Sequence, residues 1–321
     1  MPHRRLLGPL VLLLMTATGA GAATGELDRS WSFHAPPGIR LVVDAADTDV
    51  RLRVGDVTHI IVTVDLGISG VTDHQASTWI EHHTPRFEET PGHLTITLEP
   101  APRGILGHVT SRARLSIVAP SRILPDLTTT TGDIDVWGDF PEAAPLYLRT
   151  LSGKITWTGA AGGVDLRATT GRIQVKVVRP LETFVASTSG GDVTLVGGAR
   201  RAKVDTSSGG IHLEGLSGDT TVTTASGDVT LAWDRAEEGM SARVRSIRGA
   251  VRLLLPPTAR PSGELRTTGG EIHCNLPGVS GPEGGVVRLE GTGPALDVET
   301  SSADISLELH QPGAPAGREG T

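Results

Sequence analysis

The stretch from Val185 to Trp233 repeats one short phrase three times. The copies are S-T-S-G-G-D-V-T-L at 187–195, T-S-S-G-G-I-H-L at 206–213 and T-A-S-G-D-V-T-L at 224–231. Each copy has the pattern of a strand end, a glycine turn and the start of a new strand. A phrase that recurs with β-type alternation predicts a solenoid whose coils stack on one another.

The repeat has a measurable register outside this stretch. The first apolar residue after each glycine turn is Ile134, Ile155, Ile173, Val193, Ile211, Val229, Val251, Ile272 and Ile305, at spacings of 21, 18, 20, 18, 18, 22, 21 and 33 residues. Another apolar residue lies seven positions earlier in each coil, except for Val185, which lies eight positions before Val193. The long last spacing predicts one degenerate coil around Val286 to Leu289. The same spacing of seven links Val43 to Val50 and predicts that the pattern begins earlier.

Two further positions in the coil have a structural interpretation. The corner holds Gly132, Gly153, Gly171, Gly191, Gly209, Gly227, Gly249 and Gly270, which predicts a sharp turn with positive φ. Ala303 replaces this glycine and predicts a modified last coil. Two residues after the earlier apolar position come Thr129, Thr150, Ala168, Ser187, Thr206, Thr224, Ser246, Thr267 and Thr300. We interpret this hydroxyl series as structural, since hydroxyl groups can pass hydrogen bonds along a stack.

Composition supports the all-β prediction. The chain has 321 residues, of which only 3% are aromatic, with 41 Gly and 21 Pro, as expected for many short strands and tight turns. Its formal net charge of -7 is spread along the chain, so the basic stripe of a nucleic-acid-binding protein is missing. We therefore expect no nucleic-acid partner.

The sequence divides into four segments. Residues 1–22 have the pattern of a secretory signal peptide, with a basic start, an apolar run from Leu6 to Met15 and the cleavage site Ala20-Gly21-Ala22. Residues 23–120 are predicted as a less regular N-terminal β unit, 121–310 as the β-solenoid and 311–321 as a disordered tail. The apolar run is too short to span a bilayer, so we expect an exported mature chain that is periplasmic, in the cell envelope or secreted.

The N-terminal unit contains five predicted strands, at 40–44, 50–54, 59–64, 94–98 and 115–118. The polar segment between Val71 and Glu89 is predicted to be a loop or one short helix around Gln75 to Ile80. The chain has a single cysteine, Cys274, so an internal disulfide is excluded. Cys274 occupies an inward position of its coil and is expected to behave as a small buried hydrophobic residue rather than a reactive thiol.

The best catalytic candidate is a carboxylate pair. Asp192 and Asp228 share one position of the coil, two coils apart, with Gly210 between them and His212 close by on the outward face. Their expected separation of about 10 Å is near that of the two carboxylates of an inverting glycosidase. Against this, Asp133 and Asp304 hold the same position, and an active site is local whereas this feature is periodic. We therefore interpret these aspartates as turn residues.

Other site candidates are weaker. His74, Glu81, His82, His83 and His93 are clustered, but their spacing matches no familiar metal motif, so we expect no metal and no cofactor. Trp157 and Trp233 have inward parity and should lie in the core, whereas Trp137 has outward parity. In each coil, the residue directly after the first apolar position should point outward. These residues form the outward strip, which consists of Asp135, Thr156, Gln174, Thr194, His212, Thr230, Arg252, His273 and Ser306. It is interpreted as a solvated sheet face, with binding of a glycan or of a protein edge as the alternative.

At these residues the chain resembles the bacterial putative-adhesin family of β-strand-repeat proteins. The resemblance rests on the signal-like start, Ile39-Arg-Leu-Val-Val43, Leu115-Ser-Ile-Val-Ala-Pro120 and the recurring Thr-x-Ser-Gly-Asp-Ile/Val phrase, and covers about Leu27 to Leu309. It implies an exported β-solenoid of unknown specific function. The family offers no catalytic residues to transfer to this sequence.

These observations favour a non-catalytic adhesion-like or scaffold module of the cell envelope, with an envelope glycan or another envelope protein as its partner. The first alternative is a polysaccharide-cleaving β-helix enzyme that uses Asp192 and Asp228. The second alternative is an accessory protein in envelope stress or signalling.

Overall fold

The computed structural model describes residues 12–16, 23–100, 109–141, 145–276, 279 and 284–310 of the chain. These residues form strands throughout, together with one α-helix. The chain divides into two compact units, Met1–Pro141 with Leu146–Ile155, and Glu142–Pro145 with Thr156–Thr321. Long runs of stacked parallel strands confirm the predicted all-β, solenoid-type fold. Each unit is described by itself below.

The first unit carries most of the antiparallel pairing of the chain. Its elements are β1 (Leu12–Thr16), β2 (Ala23–His34), β3 (Arg40–Asp44), β4 (Asp49–Gly55), β5 (His59–Val71), α1 (Asp73–His83), β6 (Arg86–Thr90), β7 (His93–Thr97), β8 (Thr110–Pro120), β9 (Leu124–Thr129), β10 (Ile134–Trp137) and β11 (Pro145–Thr150). One sheet has the order β1-β2-β5-β8-β4-β10 and the other β11-β9-β3-β7-β6. The five predicted strands all correspond to strands of this unit.

The coil pattern begins in this first unit, as the spacing of seven predicts. Val50 of β4 is the parallel register partner of Ile134, and Val43 of β3 is the partner of Leu127. All four side chains are fully buried. Each contributes about 1.5 to 3 kcal/mol by leaving water, so the ladder stabilises the stack from its first coil.

The segment for which the sequence predicts either a loop or a helix forms helix α1. Thr72 begins the helix with a capping box, in which its hydroxyl accepts from the Gln75 backbone N–H and the Gln75 side chain accepts from the Thr72 N–H. The buried face of the helix packs on β2, where Gly25 leaves room for Ala76 and Ile80. A Cβ at position 25 would lie 2.9 Å from the terminal methyl of Ile80, so Gly25 lets the helix pack closely without a shift of this side chain.

The second unit is almost entirely parallel. Its strands are β12 (Ile155–Gly159), β13 (Gly163–Ala168), β14 (Ile173–Val177), β15 (Thr183–Thr188), β16 (Val193–Val196), β17 (Arg201–Thr206), β18 (Ile211–Leu216), β19 (Asp219–Thr224), β20 (Val229–Trp233), β21 (Ser241–Ser246), β22 (Val251–Leu255), β23 (Ser262–Thr267), β24 (Ile272–Cys274), β25 (Val286–Glu290), β26 (Ala295–Thr300) and β27 (Ile305–Leu309). One sheet has the order β12-β14-β16-β18-β20-β22-β27-β24 and the other β25-β23-β26-β21-β19-β17-β15-β13.

One predicted register position is wrong. Ala186, not Val185, is the partner of Leu166 and Val204 and is fully buried, while Val185 points outward. The spacing of seven to Val193 therefore has no exception. The pair Gly190-Gly191 therefore shifts nothing in the register, because strand alternation places the small residue Ala186 inward. For the same reason the hydroxyl position of this coil holds Thr188 and not Ser187.

The prediction of positive φ at the corner glycines is also wrong. None of these glycines is among the described residues with positive φ. Their role is close approach, since a Cβ at Gly209 would meet the carbonyl oxygen of Gly191 in the neighbouring coil. The same collision with a neighbouring carbonyl would occur at Gly132, Gly153, Gly191, Gly227, Gly249 and Gly270. Glycine is therefore required by the stacking distance and not by the turn.

The hydroxyl series satisfies the backbone at each corner. The Thr224 hydroxyl accepts from the N–H of Gly227 at 3.1 Å, and Thr206 and Ser246 repeat this bond three residues before their own glycines. Thr188 also donates to the carbonyl oxygen of Gly171 in the neighbouring coil, at 3.3 Å. These hydroxyl groups are buried, so each bond pairs a backbone group that water cannot reach. The predicted structural role is confirmed.

The C-terminal coils are not stacked in sequence order. The last coil, β26 with β27, lies between the coil β21–β22 and the coil β23–β24. The degenerate coil predicted around Val286 to Leu289 is absent from the described residues, because this segment is β25, an antiparallel edge strand on β23. The coil that contains Ala303 is thus last in sequence but not at the end of the stack.

The terminal predictions fall mostly outside the described residues. Of the predicted signal peptide only residues 12–16 are described, as β1, which pairs antiparallel with β2. The predicted tail, 311–321, lies wholly outside them. In the described part of the chain no helix has the length and apolar character needed to cross a bilayer.

Candidate functional site

The candidate carboxylates have a repeated structural role. Asp192 and Asp228 do share one coil position, on either side of Gly210. The Asp192 carboxylate accepts from the N–H of Gly210 at 3.1 Å, and Asp228 accepts from the N–H of Ala250 at 3.0 Å. Arg172 also forms an ion pair with Asp192 at 3.2 Å. Each carboxylate thus bridges its corner to the next coil.

The same bridge recurs at other coils in both units. Asp49 accepts from the N–H of Asp133, and Asp133 accepts from the N–H of Lys154. Asp304 accepts from the N–H of Glu271. A hydrogen bond repeated along the stack agrees with the interpretation of these aspartates as turn residues.

The outward strip is a half-exposed sheet face in the second unit. Gln174, Thr194, His212, Thr230 and Arg252 are successive register partners on strands β14 to β22. His212 Nε2 lies 2.7 Å from Glu214 Oε1, and an Arg252 guanidinium nitrogen lies 2.9 Å from Glu308 Oε2. His212 and Arg252 of this strip therefore pair with glutamates of the same sheet.

The side chains of the histidine-rich segment point to separate surroundings. No group of three or more His, Cys, Asp or Glu residues is placed to hold a metal ion in the described ranges. His82 contacts Glu99 at 3.2 Å. His83 is buried against Trp79, and this desolvation lowers the pKa of its imidazole below the usual value.

The tryptophans follow their predicted parity, whereas Cys274 is more exposed than predicted. Trp157 and Trp233 are fully buried, and Trp137 is half-exposed beneath the guanidinium of Arg53. Cys274 has the predicted inward register, opposite Leu307, but it is half-buried because β24 is the edge strand. Partial burial raises the pKa of its thiol, which disfavours the reactive thiolate.

A cleft in the first unit was not predicted from the sequence. It is an open cleft of about 880 Å³ lined by residues 34–37, 54–58, 120–122 and 138–139. These are the ends of β2, β4, β8 and β10 and the turns next to them. These four strands lie in one sheet, in the order β2-β5-β8-β4-β10. The intervening strand, β5, begins at this same end of the sheet. Segments far apart in sequence therefore meet at one edge.

The walls of the cleft are rigid and largely apolar. Pro36, Pro37 and Pro120 contribute fixed φ angles, and the turn at Gly38 is held by a 2.8 Å hydrogen bond from its N–H to the Arg122 carbonyl oxygen. Gly138 has a φ of 117° and lies so close to Val54 that a Cβ would collide with its backbone. The shape of the cleft thus depends on residues that resist rearrangement.

The rim of the cleft carries charged groups without partners. The side chains of Asp56, Arg122 and Asp139 are exposed and form no hydrogen bond or ion pair with any described residue. His34 lines the same cleft, with its ring 5.9 Å from that of His59. Some other exposed charges of this unit, such as Asp65 and Arg112, pair with each other at 2.8 Å. The rim therefore offers donors and acceptors of both signs to a ligand.

This arrangement is suited to binding. Apolar walls with a few convergent polar groups are the usual composition of a ligand site. In the sequence, Pro36-Pro37-Gly38 and Gly138-Asp139 indicate turns, but no periodicity brings these turns together. Sequence reasoning missed the site because only sheet pairing makes them neighbours.

Several solved structures align with most of this chain at low sequence identity. A putative adhesin from Parabacteroides merdae is 12% identical with a TM-score of 0.48, and the alignment covers 88% of this chain and 96% of the other. A putative adhesin from Parabacteroides distasonis is 14% identical with a TM-score of 0.44, covering 87% and 97%. A putative lipid binding protein from the same species is 11% identical with a TM-score of 0.40, covering 87% and 96%.

No curated protein sequence matches the chain significantly. The model of the Toastrack DUF4097 family matches residues 39–308. This range includes β3 and the coils, and it confirms the family resemblance that the repeat indicates. The chain therefore belongs to the Toastrack DUF4097 family.

Proposed function

We propose that this chain is an exported, non-catalytic, adhesion-like binding module of the cell envelope, and that the cleft of the first unit holds a glycan segment. The observation that carries the proposal is the set of unpartnered rim groups, Asp56, Arg122 and Asp139, above apolar walls. Carboxylates, a guanidinium and an imidazole can bond sugar hydroxyls, while proline and valine surfaces cover the apolar faces of sugar rings.

The charge of the cleft favours a neutral or weakly charged ligand. Two carboxylates and one guanidinium lie at the rim, so neither a polyanion nor a polycation finds a rim of uniform opposite charge. An envelope glycan has hydroxyl groups that both donate and accept hydrogen bonds. A protein edge is the second class of partner and becomes an outcome of the test.

The absence of catalysis is part of the proposal. It is supported by the carboxylates Asp192 and Asp228, whose oxygens bridge successive coils at the same position as Asp133 and Asp304. Export is supported by the pattern of residues 1–22, with its apolar run and A-x-A site. Fractionation of the native host, followed by N-terminal sequencing, would test export directly, with a mature start near Ala23 expected.

The test of the site is a glycan-binding array with reducing-end release measured in the same wells. We expect binding without release, and a loss of at least about tenfold in affinity for Arg122→Ala, because the ligand loses a charge-assisted hydrogen bond. Arg172→Ala is the matched control, since Arg172 is an exposed arginine of the second unit that pairs with Asp192. Equal binding by both variants would refute the cleft as the site.

Two other outcomes decide the ligand class. Release that disappears in Asp192→Asn would make the chain an enzyme. Failure to bind any glycan, with cleft-dependent capture of an envelope protein instead, would replace the glycan by a protein partner.

A further inference from the structure

The end of the stack in the second unit has an unusual chain path. After β22 the chain does not form the neighbouring coil of the stack. It forms β23 and β24 one coil further on, which leaves a gap of one coil, and the last coil, β26 with β27, fills this gap. Val251 and Ile272 are 21 residues apart, within the spacing of coils that advance by a single step. Here the same length of chain advances by two steps, or about 9.6 Å.

The inserted coil pairs on both sides with matching chemistry. Val298 of β26 is the partner of Val244 and Leu265, and Ile305 of β27 is the partner of Val251 and Ile272. The Thr267 hydroxyl donates to the carbonyl oxygen of Ala303, as hydroxyls of other coils do to their neighbours. The gap therefore accepts a coil through the general chemistry of the repeat.

To enter this gap the chain must cross itself. Residues 291–294 carry it from β25, on the outer edge of β23, to β26, on the inner edge. There the N–H of Gly293 donates to the carbonyl oxygen of Arg260 at 2.6 Å, and the N–H of Gly291 donates to that of Pro261 at 2.9 Å. A Cβ at Gly291 or Gly293 would collide with the Arg260 carbonyl. Crossed connections are rare in proteins, and short constrained hinges favour domain swapping.

We propose that the gap between the coils β21–β22 and β23–β24 is an interaction surface for the C-terminal coil of a second copy of this chain, with residues 291–294 as the hinge. Exchange keeps every pairing of β26 and β27, since an identical coil fills the gap. It releases the hinge from its contacts with Arg260 and Pro261, because the hinge then extends toward the partner copy. A dimer formed in this way carries two copies of the cleft and would gain avidity for a polymeric ligand.

The test uses full-length chains in which the single native cysteine is removed by Cys274→Ala. One chain carries His273→Cys and the other Ser306→Cys, at outward positions that are register partners on β24 and β27. Each chain has one thiol, so a disulfide between the two variants requires β27 of one copy to lie beside β24 of the other. The chains are mixed unfolded, refolded at high and low concentration, and oxidised.

The matched control is the pair Thr194→Cys and His212→Cys, which are register partners in the middle of the stack. Exchange between β16 and β18 would require every coil after them to move to the partner copy as well. We expect a disulfide-linked dimer from the terminal pair at high concentration, its loss when the chains are diluted before refolding, and none from the control pair.

Either of two results would overturn the proposal. One is the absence of linked dimer from the terminal pair while each variant folds as judged by circular dichroism. The other is equal linkage in the control pair, which would indicate general mixing. Size-exclusion chromatography of refolded wild-type chain gives an independent readout, since exchange requires a concentration-dependent dimer. The glycan array addresses the cleft separately.

Discussion

The corners of the solenoid coils and the cleft of the first unit use similar residues in opposite ways. At a corner of the second unit, Thr224 bonds the Gly227 N–H, and Asp228 bonds the N–H of the next coil. At the cleft, Asp56 and Asp139 have no such neighbour among the residues that the structure describes. A polar residue that recurs along the coils has a structural role, because it forms a hydrogen bond with the neighbouring coil. A polar residue outside the repeat stays available for a ligand.

The largest loss of stability should come from placing a charge among the buried apolar residues that follow a corner. Ile211 is only 2% exposed and lies between Val193 and Val229. Ile211→Asp would bury an unpaired carboxylate, so we expect the free energy of unfolding to fall by at least about 4 kcal/mol in chemical denaturation. Thr194→Asp, at an outward position, is the control and should cost less than about 1 kcal/mol. Similar melting of the Ile211 variant and the wild type would remove Ile211 from the core.

A loss of stability of intermediate size should distinguish the roles of two adjacent glycines, Gly209 and Gly210. Gly209→Ala places a methyl group against the Gly191 carbonyl, whereas at Gly210 the nearest atom to an added Cβ is 3.6 Å away. We expect Gly209→Ala to cost about 2 to 3 kcal/mol through forced separation of the coils. Gly210→Ala should change stability by less than about 0.5 kcal/mol. Equal thermal stability of the two variants would contradict a steric role for the corner position.

The smallest loss of stability should come from removing a single hydroxyl group. Thr224→Val keeps the side-chain shape but leaves the Gly227 N–H without its 3.1 Å acceptor, so we expect a loss of about 1 to 2 kcal/mol. Thr223→Val, at the exposed neighbouring position of β19, serves as the control. Protection of the Gly227 amide from hydrogen exchange should fall only in the Thr224 variant. Unchanged protection would mean that this bond does not hold the corner.

The regular coils were predictable because their periodicity is local. Ile134, Ile211 and Val251 each begin a strand at the predicted residue, since a glycine corner followed by alternating apolar residues determines where a strand starts. The apolar partner before the corner was harder to assign. Val185 is the larger apolar residue, yet alternation places Ala186 inward. Hydrophobicity alone therefore misjudges a position that a small residue fills.

The candidate site was less accessible to prediction. The cleft combines Pro36, Asp56, Arg122 and Asp139, which no spacing relates. The carboxylates that did follow a spacing, Asp192 and Asp228, bond the backbone of the next coil. A regular spacing thus identified the residues that the stack uses, and the irregular turns contain those left for binding.

For the regular coils, the sequence by itself determined where the strands begin after each glycine and, except at Val185, which residues point inward, because these depend on alternation and on turns within one coil. Only the tertiary structure decided the order in which coils stack, the exposure of Cys274 at the edge strand and the meeting of four strand ends at the cleft. The physical reason is that equivalent coils offer equivalent pairing surfaces. Local preferences cannot distinguish which neighbour a coil will take, and the path of the connecting segments makes that choice.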